Sequence, residues 1–376
     1  GWAGAVYRRL ESVWSMQLPD TPTSQSEATL DDGAEFQRRV LGDLAIGVHG
    51  LTVSIGHRLG LYAALAAAPC SADELAARCG IHPRYAREWL DAQLSAEYVT
   101  LAPEGRCMLT PAQASALVDA NSEGFIAPAF HALRALFDSE DDLVNAYRSG
   151  GGVAWREHDG ALDAGMGALP LPGYRAHLVD RWIPALTGIE EKLSRSGARV
   201  ADVGCGVGHA TQLIAAAFPN AEVIGLDYSA EAIRQAQENY PPGSTPNLSF
   251  EQVTADSFGG GPYDLVTSFN VVHDLGDPDA LARQVAHQLA PDGSWMVVEP
   301  NVAPDPVDNA EPAHRLFMGL SSVMCLPTAL SDGGPRPLGN HAGPIELREI
   351  AEAGGFAQWN QAFASPVSVV YEARLG

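Results

Sequence analysis

The sequence predicts an α/β protein: a doubly wound, mostly parallel sheet of seven strands behind an N-terminal winged-helix domain. Three observations predict it. From Arg199 onward, short apolar runs alternate with amphipathic stretches, the pattern of a parallel sheet covered by helices on both faces. The last two runs are joined by a turn too short for a helix, so they pair antiparallel. Ahead of residue 110, three helical stretches lead into two β-prone runs around a turn, the order of a winged helix. A length of 376 residues suits two domains better than one.

Residues 18–33 are rich in Pro, Ser, Thr and Asp and read as a mobile link after a short N-terminal helix. From Phe36 to Leu65 apolar residues recur at helical spacing, as at Ile55, Leu59, Tyr62 and Leu65. Ser71-Ala-Asp-Glu74 is a capping box that opens a helix, and Gly80 closes it. Pro83 starts another helix, carrying Tyr85, Trp89 and Leu90. Tyr98–Leu101 and Arg106–Leu109, flanking Pro-Glu-Gly, make a hairpin.

Residues 112–195 read as helices, broken at Ser149-Gly-Gly-Gly152 and at Pro170-Leu-Pro-Gly173. This stretch is expected to bridge the domains and cap a ligand site, with Trp155, Tyr174 and His177 either facing the pocket or filling core. Strands follow at Val200–Val203, Val223–Leu226, Leu248–Val253, Tyr263–Phe269, Ser294–Val298, Phe356–Phe363 and Val367–Tyr371. The expected division is a helix and link over 1–33, a winged helix over 34–115, a helical bridge over 116–195, and the sheet domain over 196–376. Within the last, 301–345 is expected to cover the acceptor.

The first strand of the sheet domain runs into Asp202-Val-Gly204-Cys-Gly206-Val-Gly208, and the next strand ends at Asp227. Such glycines let backbone approach a nucleoside-like ligand at the strand tips. A dinucleotide fingerprint wants its third glycine one place later, where His209 stands, so S-adenosylmethionine is the expected cofactor. Gly204, Gly206 and Gly208 would lie along its methionyl part and sugar. Asp202 would either take the ammonium or orient the loop. Asp227 is placed to accept both ribose hydroxyls. Asp256, in Thr254-Ala-Asp256-Ser257, is placed to accept from the adenine amino group, and Ser257 and Asn270 complete the expected cofactor contacts.

The fourth strand runs out into Asn270-Val-Val-His273-Asp274. An imidazole there, beyond the strand ends, can take a proton from an acceptor hydroxyl or else cap the following helix. Asp277, before Pro278, reads as the cap itself. Glu299, ending the fifth strand, can orient His273 or bind the acceptor. No ligand spacing compels a metal.

Several stretches resemble the bacterial winged-helix class I methyltransferases, especially the actinobacterial type. They are Ser54-Ile-Gly-His-Arg-Leu-Gly60, Arg84-Tyr-Ala-Arg-Glu-Trp-Leu90, Ser149-Gly-Gly-Gly-Val153, the Asp202–Gly208 loop and Val272-His-Asp274. The resemblance implies a Rossmann-like seven-stranded class I core, S-adenosylmethionine, a small-molecule acceptor, and a homodimer joined through the N-terminal helices. Val272-His-Asp274, with Val297-Val-Glu299-Pro and Ala303-Pro-Asp305, is also similar to caffeate-type O-methyltransferases. That likeness implies His273 as base, Glu299 as its support and Asp274 as its pair. The chain departs from its relatives at Met324-Cys-Leu-Pro327 and Gly333-Gly-Pro-Arg-Pro-Leu-Gly-Asn-His341, where Pro327, Pro335 and Pro337 must reshape the backbone. Met324, Arg336 and His341 are the expected acceptor contacts, with Tyr174 and His177 from the bridge.

Composition narrows the partners. A net charge of −23 repels nucleic acid and anionic membrane alike. The would-be recognition helix offers Arg84 and Arg87 beside Glu88 and Asp91, too few cations to neutralise many phosphates. A ligand-responsive DNA-binding regulator is therefore the weaker expectation. Five cysteines without paired spacing point to a reducing cytoplasm, and no apolar run is read as membrane-spanning. The resulting expectation is O-methylation of a secondary metabolite. The alternative is C- or N-methylation, or a cofactor-dependent rearrangement, on the same fold.

Overall fold

The computed structural model describes the backbone of residues 24–376 and side chains from residue 33 onward. The expected short helix at the extreme N-terminus lies outside the described residues. The chain forms two compact units, divided after Gly50.

A helix spans Ser24–Arg58, so the segment expected to be a link is helical from Ser24. No proline occurs between Pro22 and Pro69, and the Gln, Glu, Ala and Leu residues favour helix. The part from Gly33 to Arg58 is long and apolar enough to cross a membrane by length and composition alone, contrary to the run-length reading. Asp43 is the single charged residue between Val40 and Gly56, which a search for an unbroken apolar run passes over. Phe36, Leu41, Leu44, Ile46 and Val48 on this helix are all more than half exposed.

In the second unit the helical run expected to reach Leu65 is split by Gly60, whose φ of 69° starts a separate helix, Leu61–Ala67. The capping box forms: the Ser71 hydroxyl accepts from the Glu74 N–H, and the Glu74 carboxylate accepts from the Ser71 N–H. Helices Ala72–Cys79 and Pro83–Ser95 follow. The wing is β1 (Thr100–Leu101) paired antiparallel with β2 (Cys107–Met108). Tyr62, Leu65, Leu75, Trp89, Leu90 and Val99 form this region's core, and Tyr62 donates to Gln93 within it.

The bridge breaks at Gly150 and again at Leu169–Pro170, where the second expected break begins. Helix Leu171–His177 runs through Pro172 and Gly173, because proline fits the first turn of a helix. Beyond it lies the sheet: β3 (Arg199–Val203), β4 (Glu222–Asp227), β5 (Leu248–Gln252), β6 (Tyr263–Phe269), β7 (Leu289–Pro300), β8 (Gln358–Ala364) and β9 (Ser368–Arg374). Their order is β5-β4-β3-β6-β7-β9-β8, parallel from β5 to β7, with β9 antiparallel to both neighbours. Alternate residues bury opposite faces. Val200, Leu265, Met296 and Val298 pack with Trp182, Ile183 and Ile214 on one side. Ala201, Val266 and Val297 pack with Leu281, Val285 and Ile350 on the other. The order reverses between β3 and β6, which opens a crevice at their C-terminal ends.

Two π-helical segments interrupt the helices that cover this edge, Leu178–Trp182 and Ser321–Cys325. Each ends two residues before a proline, Pro184 and Pro327. A helical proline cannot bond to the carbonyl four residues back and its ring crowds that carbonyl, so the turn ahead widens. The second of these wide turns ends at Cys325, which is buried.

Candidate active site

The loop after β3 carries φ of 74°, 54° and 83° at Gly204, Gly206 and Gly208. A side chain at Gly204 would run into Val271, so the turn after β6 sits directly against this loop. One at Gly206 would meet nothing within 4 Å, so the crevice is open there. Asp227, at the tip of β4, accepts from the Gly206 N–H at 2.9 Å and from the Ser229 N–H at 2.8 Å. It thereby ties the loop to the neighbouring strand. Burial raises its pKa, against the pull of those N–H groups.

Asp202 is held by hydroxyls of the neighbouring helix and strand. Its side chain is fully buried and accepts from Thr211 at 2.6 Å and from Thr267 at 2.9 Å, clamping helix His209–Ala217 and β6 to β3. Burial pushes its pKa up to about 6, with the hydroxyls only partly offsetting the loss of water. Asp256 and Ser257 lie exposed beyond β5, sharing the Thr254 hydroxyl at 2.6 and 2.7 Å. Asn270 ends β6 with a φ of 57° and donates to the buried Tyr174 hydroxyl at 3.4 Å.

His273 and Asp274 stand on a single 3₁₀ turn, Val272–Asp274, that follows β6. Asp277, not His273, caps the next helix, accepting from the Ala280 N–H. Nδ1 of His273 is hydrogen-bonded to Oε2 of Glu299, whose other oxygen accepts from the Val272 N–H at 3.0 Å. Glu299 therefore fixes both the ring and the turn that carries it. Of its two expected roles, orientation is the one the geometry builds. Nε2 faces the opposite way, 3.3 Å from Oδ1 of Asp274. Burial opposes a charge on His273, but the Glu299 and Asp274 carboxylates win and raise its pKa well above the ordinary imidazole value. Cys325 completes this group, and sequence reasoning did not single it out. Isolated in the chain, it reaches His273 and Asp274 only through the π turn, and burial pushes its thiol up to about 12.

The remaining expected acceptor contacts disperse. Tyr174 and His177 pack in an aromatic group with Trp182, to which Tyr174 adds Phe269 and His177 adds Phe363. Trp155 donates to Asp163. Met324 is buried with Ala132, Leu136 and Leu162. Arg336 is taken up by Asp279, Glu346 and Glu349, which leaves its guanidinium committed to structure. His341 is exposed and lies 3.4 Å from the Ser321 hydroxyl.

Residues 194–329 match the methyltransferase-domain family and residues 47–119 the Rv2258c-like winged HTH domain. The chain thus pairs a methyltransferase domain with a winged helix-turn-helix domain. A trans-aconitate 2-methyltransferase of Methylobacterium nodulans is 36% identical over 122 residues, 32% of this chain and 43% of that protein. A ubiquinone biosynthesis O-methyltransferase of Albidiferax ferrireducens is 31% identical over 27% of this chain and 40% of its own length. The chain spans roughly half the length of the curated relatives it matches. Among solved structures, a Nostoc punctiforme O-methyltransferase, described by its solvers as putative, superposes with a TM-score of 0.64 at 21% identity, covering 94% of this chain and 99% of that one. Human N-acetylserotonin methyltransferase in complex with SAM gives 0.62 at 17% identity, covering 96% and 100%. At such identities the likeness establishes the fold alone: a seven-stranded, mostly parallel α/β sheet domain with an N-terminal helical domain.

Proposed function

We propose that the protein transfers a methyl group from S-adenosylmethionine to a hydroxyl of a small-molecule acceptor, a secondary metabolite, with His273 as general base. The observation that carries this reading is the His273–Glu299 pair, set against the glycine loop through the Val271–Gly204 contact. The residues present fit the cofactor: the space beside Gly206 is open, and Asp227 stands at the strand tip facing the loop it anchors. When bound, the cofactor supplies an electrophilic methyl on a sulfonium. The chain's own contribution is to position the acceptor and hold its proton. Glu299 keeps Nδ1 occupied, so Nε2 is the nitrogen that accepts the hydroxyl proton. The raised pKa makes His273 a strong base once it is neutral.

We assign the winged helix and the long N-terminal helix to pairing of two copies rather than to nucleic acid. Arg84, one of the recognition helix's cations, is paired with Glu88. The exposed apolar residues Phe36, Leu41, Leu44, Ile46 and Val48 need cover that a second copy supplies. The five free thiols accord with a cytoplasmic site.

Calorimetric titration with S-adenosylmethionine, followed by an acceptor screen reading the mass gain of one methyl, tests the activity. Absence of cofactor binding would sink the proposal. His273→Gln should lower kcat by about 10²–10⁴-fold for a hydroxyl acceptor. Unchanged turnover would favour N-methylation, since an amine needs no base. Sedimentation should give a dimer that Leu44→Glu splits. A monomeric wild type, or one that partitions into neutral vesicles, would overturn the pairing.

A further inference from the structure

The group formed by His273, Asp274 and Cys325 has a chemistry that methyl transfer does not use. Their ligating atoms all lie within 4.8 Å of one another. His273 is 3% exposed and Cys325 1%. Oδ1 of Asp274 is buried and makes no hydrogen bond, even though Nε2 stands 3.3 Å away. The donors beside this carboxylate are the His273 Nε2–H and the Cys325 thiol, both of them metal-ligating groups, and a poorly satisfied buried carboxylate oxygen is costly. The surroundings are acidic: Glu299 and Asp332 both act electrostatically on Asp274, and among the described residues no Lys or Arg pairs with Asp274 or Glu299.

We propose that His273 Nε2, an Asp274 carboxylate oxygen and the Cys325 thiolate form a binding site for a borderline-soft divalent cation, with zinc the best chemical match. One nitrogen, one oxygen and one sulfur are a zinc donor set, and three protein ligands leave a fourth position open. The spacing fits. Two ligands each about 2.05 Å from a tetrahedral centre stand about 3.3 Å apart, which is the separation found between Nε2 and Oδ1. A ligating histidine also needs its other ring nitrogen held by a carboxylate, and Glu299 holds Nδ1. The Asp274 side chain, 18% exposed, offers the way in. The π turn ahead of Pro327 points the sulfur at this centre.

Binding releases two protons to solvent, one from the Cys325 thiol and one from Nε2 of the His273 imidazolium, and leaves the Nδ1 proton on the Glu299 bond. The metal takes the same Nε2 lone pair that the base uses, so occupancy and base action exclude one another. Zinc is therefore an inhibitor of methyl transfer; this clause alone rests on the proposed function.

Cobalt(II) titration of the metal-stripped full chain tests the site without any assay of turnover. The expected result is one equivalent bound, a thiolate-to-cobalt charge-transfer band, and bleaching by one equivalent of zinc. Cys325→Ser should lose the band while the far-UV spectrum stays unchanged. Asp274→Asn should weaken binding by about tenfold or more. Zinc-edge X-ray absorption of the wild type keeps the test valid if a variant misfolds. It should show one sulfur near 2.3 Å among nitrogen and oxygen neighbours near 2.0 Å, values that are approximate. A zinc shell without sulfur, or a charge-transfer band that survives in Cys325→Ser, would overturn the site. If no acceptor is ever methylated, the spectra still decide on the metal.

Discussion

Replacing Asp202 with Asn should stabilise the protein, and should do so more as pH rises. In the unfolded chain this carboxyl titrates at 3.8, whereas in the folded protein burial holds it near 6. A folded-state pKa above the unfolded one contributes stability that is fully present below 3.8 and is lost as pH rises through about 6. The ionised carboxylate therefore costs about 1.6 kcal/mol at pH 5 and about 3 kcal/mol at pH 8. Asn removes the charge but keeps the shape. Thr211 and Thr267, which now donate to the two oxygens, can turn so that one hydroxyl accepts from the new amide. The hydroxyl bonds to the ionised form are already contained in the pKa of about 6, so they add no second pH-dependent contribution. The pH dependence is thus the decisive quantity: the variant's advantage should grow by about 1.4 kcal/mol between pH 5 and pH 8. Urea unfolding without cofactor, followed by tryptophan fluorescence across that range, measures it. Parallel stability curves for the two proteins would show that Asp202 is already ionised in the fold at pH 5. The argument from burial would then be wrong.

Other outcomes follow from the same geometry. Asp227→Ala should weaken S-adenosylmethionine binding by about a hundredfold by calorimetry, since it removes the loop anchor and, on the proposed reading, the ribose acceptor. The acid limb of kcat/KM should lie above the ordinary imidazole range, because activity falls as pH drops through the raised pKa of His273. Glu299→Gln should move that limb to lower pH, and an unmoved limb would separate Glu299 from the base. Arg336→Ala should cost about 1–2 kcal/mol in urea unfolding, given that the guanidinium is mostly buried among three carboxylates, while leaving acceptor KM unchanged.

The sheet was legible because its signals are local and redundant. The central strands β3, β4, β6, β7 and β9 carry apolar runs, the edge strands β5 and β8 alternate apolar with polar residues, and Asp277 and Ser71 announce their helices by capping chemistry that the structure reproduces. The helix starting at Ser24 was not legible, because Ser, Thr and Asp are frequent in links and at helix starts alike. The break at Leu169–Pro170 was legible but its extent was not: proline breaks a helix interior yet suits its first turn, where Pro172 sits in Leu171–His177. Among site residues, Asp202, Asp227 and Gly206 sit where a strand-loop-helix pattern puts them. His273 and Glu299 meet because β6 and β7 are adjacent and in register, Phe269 opposite Val298.

Arg336 and Cys325 show why the acceptor side resists the same treatment. Both lie in the stretch after β7, where no repeating period ties sequence position to direction. Arg336 looked available for an anion, yet Asp279, Glu346 and Glu349 converge on it from two helices, an encounter fixed only by tertiary packing. Cys325 stood out only as one of five cysteines without paired spacing, yet in the wide turn two residues before a proline its thiol lies beside His273 and Asp274. An α-helical turn there would rotate successive side chains by about 100°, whereas the extra residue of a π turn resets that phase for everything before Pro327. Proline at 327 and sulfur at 325 therefore act together. Pro327→Ala, by letting the α-helical bond from residue 327 to Val323 form, should swing the thiol off the His273–Asp274 pair and abolish the cobalt charge-transfer band with Cys325 still present. A band of full strength in that variant would mean that the thiol's direction is set by core packing around Met324 and Leu320, and not by the proline.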